Sequence, residues 1–337
     1  MGLPGQRGVF SGRILMSPKL KQIALLTFAL SLCASSPALP WGAEGHKLIT
    51  VKAAQVLPPE IRSLFENRLQ DLRRLSVEPD ELWKDPKQWE AHPEWKNRSN
   101  WHFLDIDHFH FRYPFKEFPR TRAGADSFYA RADSLYAGRG NAGYLPWTIA
   151  DFYRAIVDAW KRGDIEAVIQ NSGHLSHFAG DASMPLHATR NYDGLYSGNV
   201  KYKVRWGDPG YPDRSVHERF ELALVDMNLV RYGEAIRIAD ADRRQLTDIL
   251  SGAFDFIVES YFHLDKITAT DKTIMERLNV LTEDKKPFDA RRDDYYKALD
   301  EQVGQLAVDR LRAGAVYLGN LWYSAWVEAG KPALAKK

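Results

Sequence analysis

Apolar residues recur at steps of three and four over most of this chain, and that pattern restricts its fold more than any other feature. In "PWTIADFYRAIVDAWKRGD", Ile149, Phe152, Tyr153, Ile156, Val157 and Trp160 share one helical face, with Pro146 near the start. Near the C-terminus, Leu299, Val303, Leu306, Ala307, Leu311, Ala315, Leu318 and Trp322 repeat the spacing, and residues 215–231 and 243–265 read similarly. Striped helices of this kind bury their apolar faces against one another, so the expected fold is mainly α, a single-domain bundle of many helices. One stretch departs from the period. "VKYKVRW", 200–206, alternates apolar and polar residues and predicts a short β-hairpin insertion. Its polar face carries Lys201, Lys203 and Arg205, either as a solvated edge or as a contact for an anionic substrate.

The first 40 residues read as a secretory signal rather than as part of the fold. Lys19 and Lys21 precede an apolar run from Ile23 to Leu32, followed by small residues; the run is too short for a permanent membrane span. Met16 offers an alternative start. The expected mature domain is 41–337, secreted or periplasmic and without a transmembrane anchor. Removing the leader leaves 42 basic against 44 acidic residues, so charge gives no support for bulk attraction to nucleic acid or anionic membranes. Cys33 is the only cysteine and leaves with the leader, which excludes a disulfide or thiolate metal site in the mature protein.

The chemistry concentrates in "HLSHFAGDASMPLH", 174–187. On a helix His177 and Asp181 lie four apart on one face and can reach a common metal ion, while Pro185 ends the helix and sends His187 elsewhere. "VHERFE" supplies a second pair, His217 and Glu221, at the same spacing. Cleavage before "WGAEGH" would expose a Trp41 amine with a pKa of about 7.7–8.0, which a metal can deprotonate at small cost near neutral pH. That amine and the Trp41 carbonyl form a five-membered chelate, with His46 close enough to add a third donor.

"WGAEGH" (41–46), "HFLDID" (102–107), "HFAGDASMPLH" (177–187) and "VHERFE" (216–221) occur in an order that resembles the zinc-dependent phospholipase C and single-strand-specific nuclease superfamily. The resemblance implies three zinc ions. One would be held by Asp80, His102, His177 and Asp181. A second would take the Trp41 amine and carbonyl, His46 and the other oxygen of Asp181. The third would use His187, His217 and Glu221. Asp80 in "VEPDELW" lies 22 residues before His102, a longer gap than the family usually shows, and Asp85 competes with it. His174 is expected beside the ligands rather than among them. His108 and His110 have no counterpart in the family pattern, and His92 and His263 sit in no cluster.

Three zinc ions against three carboxylates leave a positive pocket suited to a phosphodiester, whose transition state gathers negative charge on the phosphoryl oxygens. The implied reaction is in-line attack of metal-activated hydroxide on phosphorus, with Asp80 aligning or deprotonating the nucleophile, and activity collapsing below about pH 5 as histidines protonate. Two substrates compete. Glu221, "PLHATRN" and Glu44, placed like a choline-contacting acid, resemble the phospholipase C branch, which is slightly favoured. The five-residue step from Trp41 to His46 is that of single-strand nucleases or 3′-nucleotidases. Phe103 and Asp105 would contact a base or a head group in the respective branches. A non-catalytic, zinc-stabilised binding protein is the alternative of another class. No stable protein partner is implied.

Overall fold

Pro146, in the first turn, and Gly163, in the left-handed conformation at the end (φ 69°), bracket helix Leu145–Arg162. Asp164 then accepts a 3.1 Å hydrogen bond from the Ala167 N–H and starts helix Ile165–Ser183. In chain order, the computed structural model contains α1 (Gly42–Ala54), α2 (Pro59–Asn67), α3 (Leu69–Leu75), α4 (Glu78–Glu81), α5 (Arg122–Tyr136), α6 (Leu145–Arg162) and α7 (Ile165–Ser183). There follow α8, which opens as Val216–Glu218, widens into a π turn at Arg219–Ala223 and continues as Leu224–Ala235, then α9 (Ile249–Tyr261), α10 (Leu264–Arg277), α11 (Lys286–Ala290) and α12 (Arg292–Glu328). The structure describes residues 41–96, 98–109, 111–136, 141–192, 216–280 and 286–334. Among these no strand occurs, and the fold is mainly α. The expected leader and the expected hairpin at 200–206 lie outside the described residues.

The apolar stripes read from the sequence are buried. Ile149, Tyr153, Ile156, Val157 and Trp160 of α6 line the core, with Phe152 packed against it. On α12 the series from Leu299 to Trp322 is buried along a 37-residue helix, about 56 Å long. The segment at 243–265 is not one helix. Its first residues run beside α12, where the Arg244 N–H donates to Asn320 Oδ1 (2.8 Å) and the Leu246 N–H to Ser324 Oγ (2.7 Å). Side chains thus satisfy backbone donors that a helix would otherwise pair, and α9 begins only after Asp248 caps it.

α7 is the axis of the bundle: it packs against α1, α3, α6, α9 and α12, and every residue from Ser172 to Ser183 is buried. Its end is clamped. Arg310 of α12 donates from Nε to the Ser183 carbonyl (3.0 Å) and from its other nitrogens to Glu259 Oε1 and Ser260 Oγ (2.7 Å each). A buried cation at a helix C-terminus meets both the unpaired carbonyls and the negative end of the dipole. Met184 then turns extended, and Pro185 opens a 3-10 turn, Pro185–Ala188, that carries His187 away. Against this turn lies the extended stretch 102–106: the Leu104 and Ile106 N–H groups donate to the His187 and Ala188 carbonyls (2.9 and 3.0 Å), and the Asp105 N–H to Ala142 O (2.7 Å). Gly143 (φ 94°) permits this approach, because a Cβ there would fall 2.0 Å from the Phe103 carbonyl oxygen.

Candidate metal centre and substrate cavity

α7 presents His177 and Asp181 on one face, and both are fully buried. α1 brings His46 to them. Its ring stacks on His177 (centroids 4.1 Å apart), and its Nε2 lies 3.6 Å from Asp181 Oδ1. Gly180 makes this fit, since a Cβ at that position would stand 2.6 Å from His46 Nδ1. His102, at the start of the extended stretch, places Nδ1 3.1 Å from Asp181 Oδ2 and 2.8 Å from His177 Nε2. Asp80 of α4, also buried, sets Oδ1 3.5 Å from His102 Nδ1 and 3.6 Å from His177 Nε2. Of the two aspartates left open by the sequence, Asp80 sits in this group. Asp85 instead accepts the Lys87 N–H (2.9 Å) and caps a short 3-10 turn.

The third expected set assembles next to the first two. His187 Nε2 is 3.0 Å from His217 Nε2 and 3.5 Å from Glu221 Oε1, and His217 contacts Glu221 Oε2. Glu221 sits in the π turn of α8; such turns insert an extra residue and recur at functional sites. His187 Nδ1 also lies 3.4 Å from Asp181 Oδ1, so the sets share one interior. Trp41 is buried and its indole N–H donates to the Gly180 carbonyl (2.8 Å). Its backbone nitrogen contacts Glu221, the acid of the third set.

The donors suit cations. His177 Nδ1 faces the Ser76 carbonyl (2.8 Å) and His187 Nδ1 faces the His102 carbonyl (2.7 Å); carbonyls only accept, so the protons sit on Nδ1. Nε2 of both rings, which faces further ring nitrogens and carboxylates, is therefore the atom that would offer a lone pair to a cation on giving up its proton. Both nitrogens of His46, His102 Nε2, Asp80 Oδ2 and Asp181 Oδ1 are buried with no hydrogen-bond partner. Buried lone pairs and carboxylates that only face one another are costly unless positive charge lies between them. Three donor groups fall within binding distance: His46–Asp80–His177, His102–His177–Asp181 and His187–His217–Glu221. An imidazole-rich set with carboxylates fits zinc.

Electrostatics follow burial. Desolvation, then His177, pushes His46 down to about 3, and desolvation, then Lys84, lowers His102. Burial also works against His187, but Glu221 and Asp181 outweigh it and raise it to about 9. Burial opposes ionisation of Glu221, yet His217 and His187 hold it well below the usual carboxylate range.

A cavity of about 260 Å³ opens beside the cluster, lined by His102, His187, His217, Phe103, Asp105 and Tyr192 among others. Phe103 and Asp105 are thus where the sequence put them, beside the cluster. Burial first, then the charge of Asp107, pushes the Asp105 carboxyl up to about 8. Glu44 is not among the lining residues; it pairs with Lys47 (2.8 Å) one helical turn away. His174 binds Glu78 (3.1 Å) and meets the Trp83 ring edge-on, beside the ligands as expected. His92 stacks on Trp95, and His110 lies outside the described residues.

Two residues at the site escape the sequence reading. Lys84 also lines the cavity, with Nζ 2.5 Å from Asp80 Oδ1; its four-residue step from Asp80 was the available signal. Asp107 accepts from Thr189 Oγ1 (2.7 Å), the Arg190 N–H (3.0 Å) and Asn191 Nδ2 (3.2 Å), fixing the chain after His187. No pattern in the sequence pairs Asp107 with that stretch.

Among known proteins, a curated relative described as a probable serine protease of Bradyrhizobium tropiciagri is 25% identical over 190 residues, 55% of this chain and 24% of that protein. The solved alpha-toxin of Clostridium absonum matches over 83% of this chain and 64% of its own, at 14% identity and TM-score 0.42. The alpha-toxin of an avian strain of Clostridium perfringens matches over 86% and 64%, at 16% and 0.43. The chain therefore spans about a quarter of that curated relative and under two thirds of either toxin. The S1/P1 nuclease family model matches residues 41–276, which contain every residue of the cluster and cavity described above. The chain belongs to the S1/P1 nuclease family.

Proposed function

We propose that this chain is an exported, zinc-dependent phosphodiester hydrolase whose substrate is single-stranded nucleic acid. One observation carries the reading: unpaired buried imidazole and carboxylate atoms gather around Asp181 and open into a cavity walled by Phe103 and Asp105. Trp41, His46, Asp80, His102, His177, Asp181, His187, His217 and Glu221 would hold up to three zinc ions. Zinc held by these residues would lower the pKa of water toward neutrality and offset charge on phosphoryl oxygens. Asp80 accepts a hydrogen bond from the attacking water and orients it, while Lys84 fixes Asp80 and adds a cation facing the phosphate. Phe103 supplies a stacking face for a base. Asp105, held protonated toward about 8, offers both a donor and an acceptor to the base edge. His187, His217 and Glu221 make a three-donor set with room for a substrate oxygen.

The phospholipid reading keeps Glu221 as support but loses Glu44, which is tied to Lys47 outside the cavity. Nucleic acid is therefore preferred over the phospholipase-like substrate that the motifs slightly favoured. Export rests on the leader-like residues 1–40. None of the described helices is long and apolar enough to cross a membrane. The decisive experiment assays the mature protein on single-stranded DNA and on phosphatidylcholine, each with and without chelator. Chelator-sensitive DNA cleavage without phosphocholine release is expected; the reverse pattern transfers the assignment to phospholipid. Zinc binding with neither activity would leave the zinc-stabilised binding protein.

A further inference from the structure

A π turn is rare inside an α-helix and holds one residue more than the α turn it replaces. The π turn of α8, Arg219–Ala223, carries Glu221 at His187 and His217, and the proposed chemistry uses only that side of it. Arg219 lies two residues from each of these ligands on α8, and two residues turn an α-helix by about 200°, onto its opposite face. There it is buried. It donates from Nε to Asp271 Oδ1 and from Nη2 to Asp271 Oδ2 (2.9 Å each), and Asp271, on α10, is buried as well. Tyr295 of α12, with no exposed surface, donates its hydroxyl to the same Asp271 Oδ1 and lies 3.0 Å from Arg219 Nε. Three helices therefore meet on one guanidinium directly behind the third donor set.

A buried ion pair is a poor source of stability. Taking both charges out of water costs much of what their attraction returns, and well-packed apolar side chains often serve as well or better. What the pair supplies is direction: a two-pronged guanidinium–carboxylate contact has one geometry, whereas apolar side chains can slide past one another. We propose that Arg219, fixed by Asp271 and Tyr295, is the positioning residue of the third donor set: it holds the π turn in the register that aims both His217 and Glu221 at His187. The proposal rests on the zinc reading above. An α turn at this place would rotate the start of α8, where His217 lies, by about 100° against the Leu224–Ala235 segment that packs on α1 and α12. His217 would then leave the cluster while Glu221 stayed.

The test replaces the ion pair by apolar side chains, Arg219→Met with Asp271→Leu, in the full mature protein. Titration of zinc against a chelating dye gives the number of ions bound and the affinity of each, and His217→Ala identifies the ion that belongs to the third set. That ion should bind about 10- to 100-fold more weakly in the double variant, the range typical of removing a group that orients a metal ligand, while the others keep their affinity. Tm of the zinc-free double variant should hold or rise. A purely structural pair gives the opposite pattern, a lower zinc-free Tm with every zinc affinity unchanged, and that result overturns the proposal. Tyr295→Phe is the milder variant and decides the point should the double variant not fold. It removes one hydroxyl from the network and should weaken the same ion by about 2- to 10-fold; an unchanged affinity overturns the proposal. If wild type binds zinc and the double variant binds it equally well, the zinc reading stands and the positioning role is lost. If wild type binds no zinc, the zinc reading fails and the proposal falls with it.

Discussion

At residue scale the site depends on atoms that are missing as much as on those present. Gly180 carries no side chain, and His46, held on its other side by the His177 ring, has nowhere to retreat. Gly180→Ala should cost about 1–3 kcal/mol in stability and lower the zinc bound per chain, read by urea denaturation and elemental analysis. Asp105 tests the electrostatics. Its folded-state pKa, about 8, lies above the ordinary aspartate value of 3.8, so the folded state holds the proton more tightly and stability falls as pH rises from about 4 to 8. In chelated protein, Asp105→Asn should match wild type near pH 4 and exceed it by about 2–3 kcal/mol at pH 8, after allowance for its partly exposed side. A constant difference across that range, measured by chemical denaturation, would show that Asp105 is ionised throughout. The substitution should weaken base recognition even as it stabilises the fold.

At the scale of elements, the end of α7 matters more than its middle. Pro185 forces the break, but Arg310 holds the severed end, and the same turn aims His187 at His217 and Glu221. Arg310→Ala leaves the Ser183 carbonyl unclamped and Ser260 without the guanidinium, and should cost about 1–3 kcal/mol. Arg310→Lys should recover only part of this, because one ammonium cannot replace the planar fork that reaches three partners. Denaturation midpoints of the two variants decide the point. Sequence periodicity revealed α6 and α12 because their apolar stripes face the core. It overextended α9, because the backbone of 244–246 pairs with Asn320 and Ser324, partners more than seventy residues away.

For the molecule as a whole, the proposed zinc site would couple folding to metal. Asp80, Asp181 and Glu221 are all at most 6% exposed and lie within one interior. If zinc occupies the site, removing it would leave these charges facing one another and unpaired imidazoles. Chelation should lower Tm markedly, and added zinc should restore it in proportion to the logarithm of its free concentration. A Tm indifferent to chelator would mean that the cluster holds no ion. The proposed cleavage before Trp41 offers a second test at this scale. One alanine added before Trp41 in the mature protein converts the expected amine into an amide beside Glu221, and bound zinc should fall. Unchanged zinc would remove Trp41 from the ligand set.

The sequence determined the helical class and most candidate ligands, because four-residue steps and a helix-ending proline are local properties that need no knowledge of the fold. His177 with Asp181, and His217 with Glu221, were legible for that reason. Tertiary structure decided what depends on distance through space: Asp80 rather than Asp85 beside His102, and the Trp41 nitrogen at Glu221. These are contacts between segments up to 180 residues apart. They follow from how the buried faces of α1, α4, α7 and α8 meet, which no short stretch of sequence encodes.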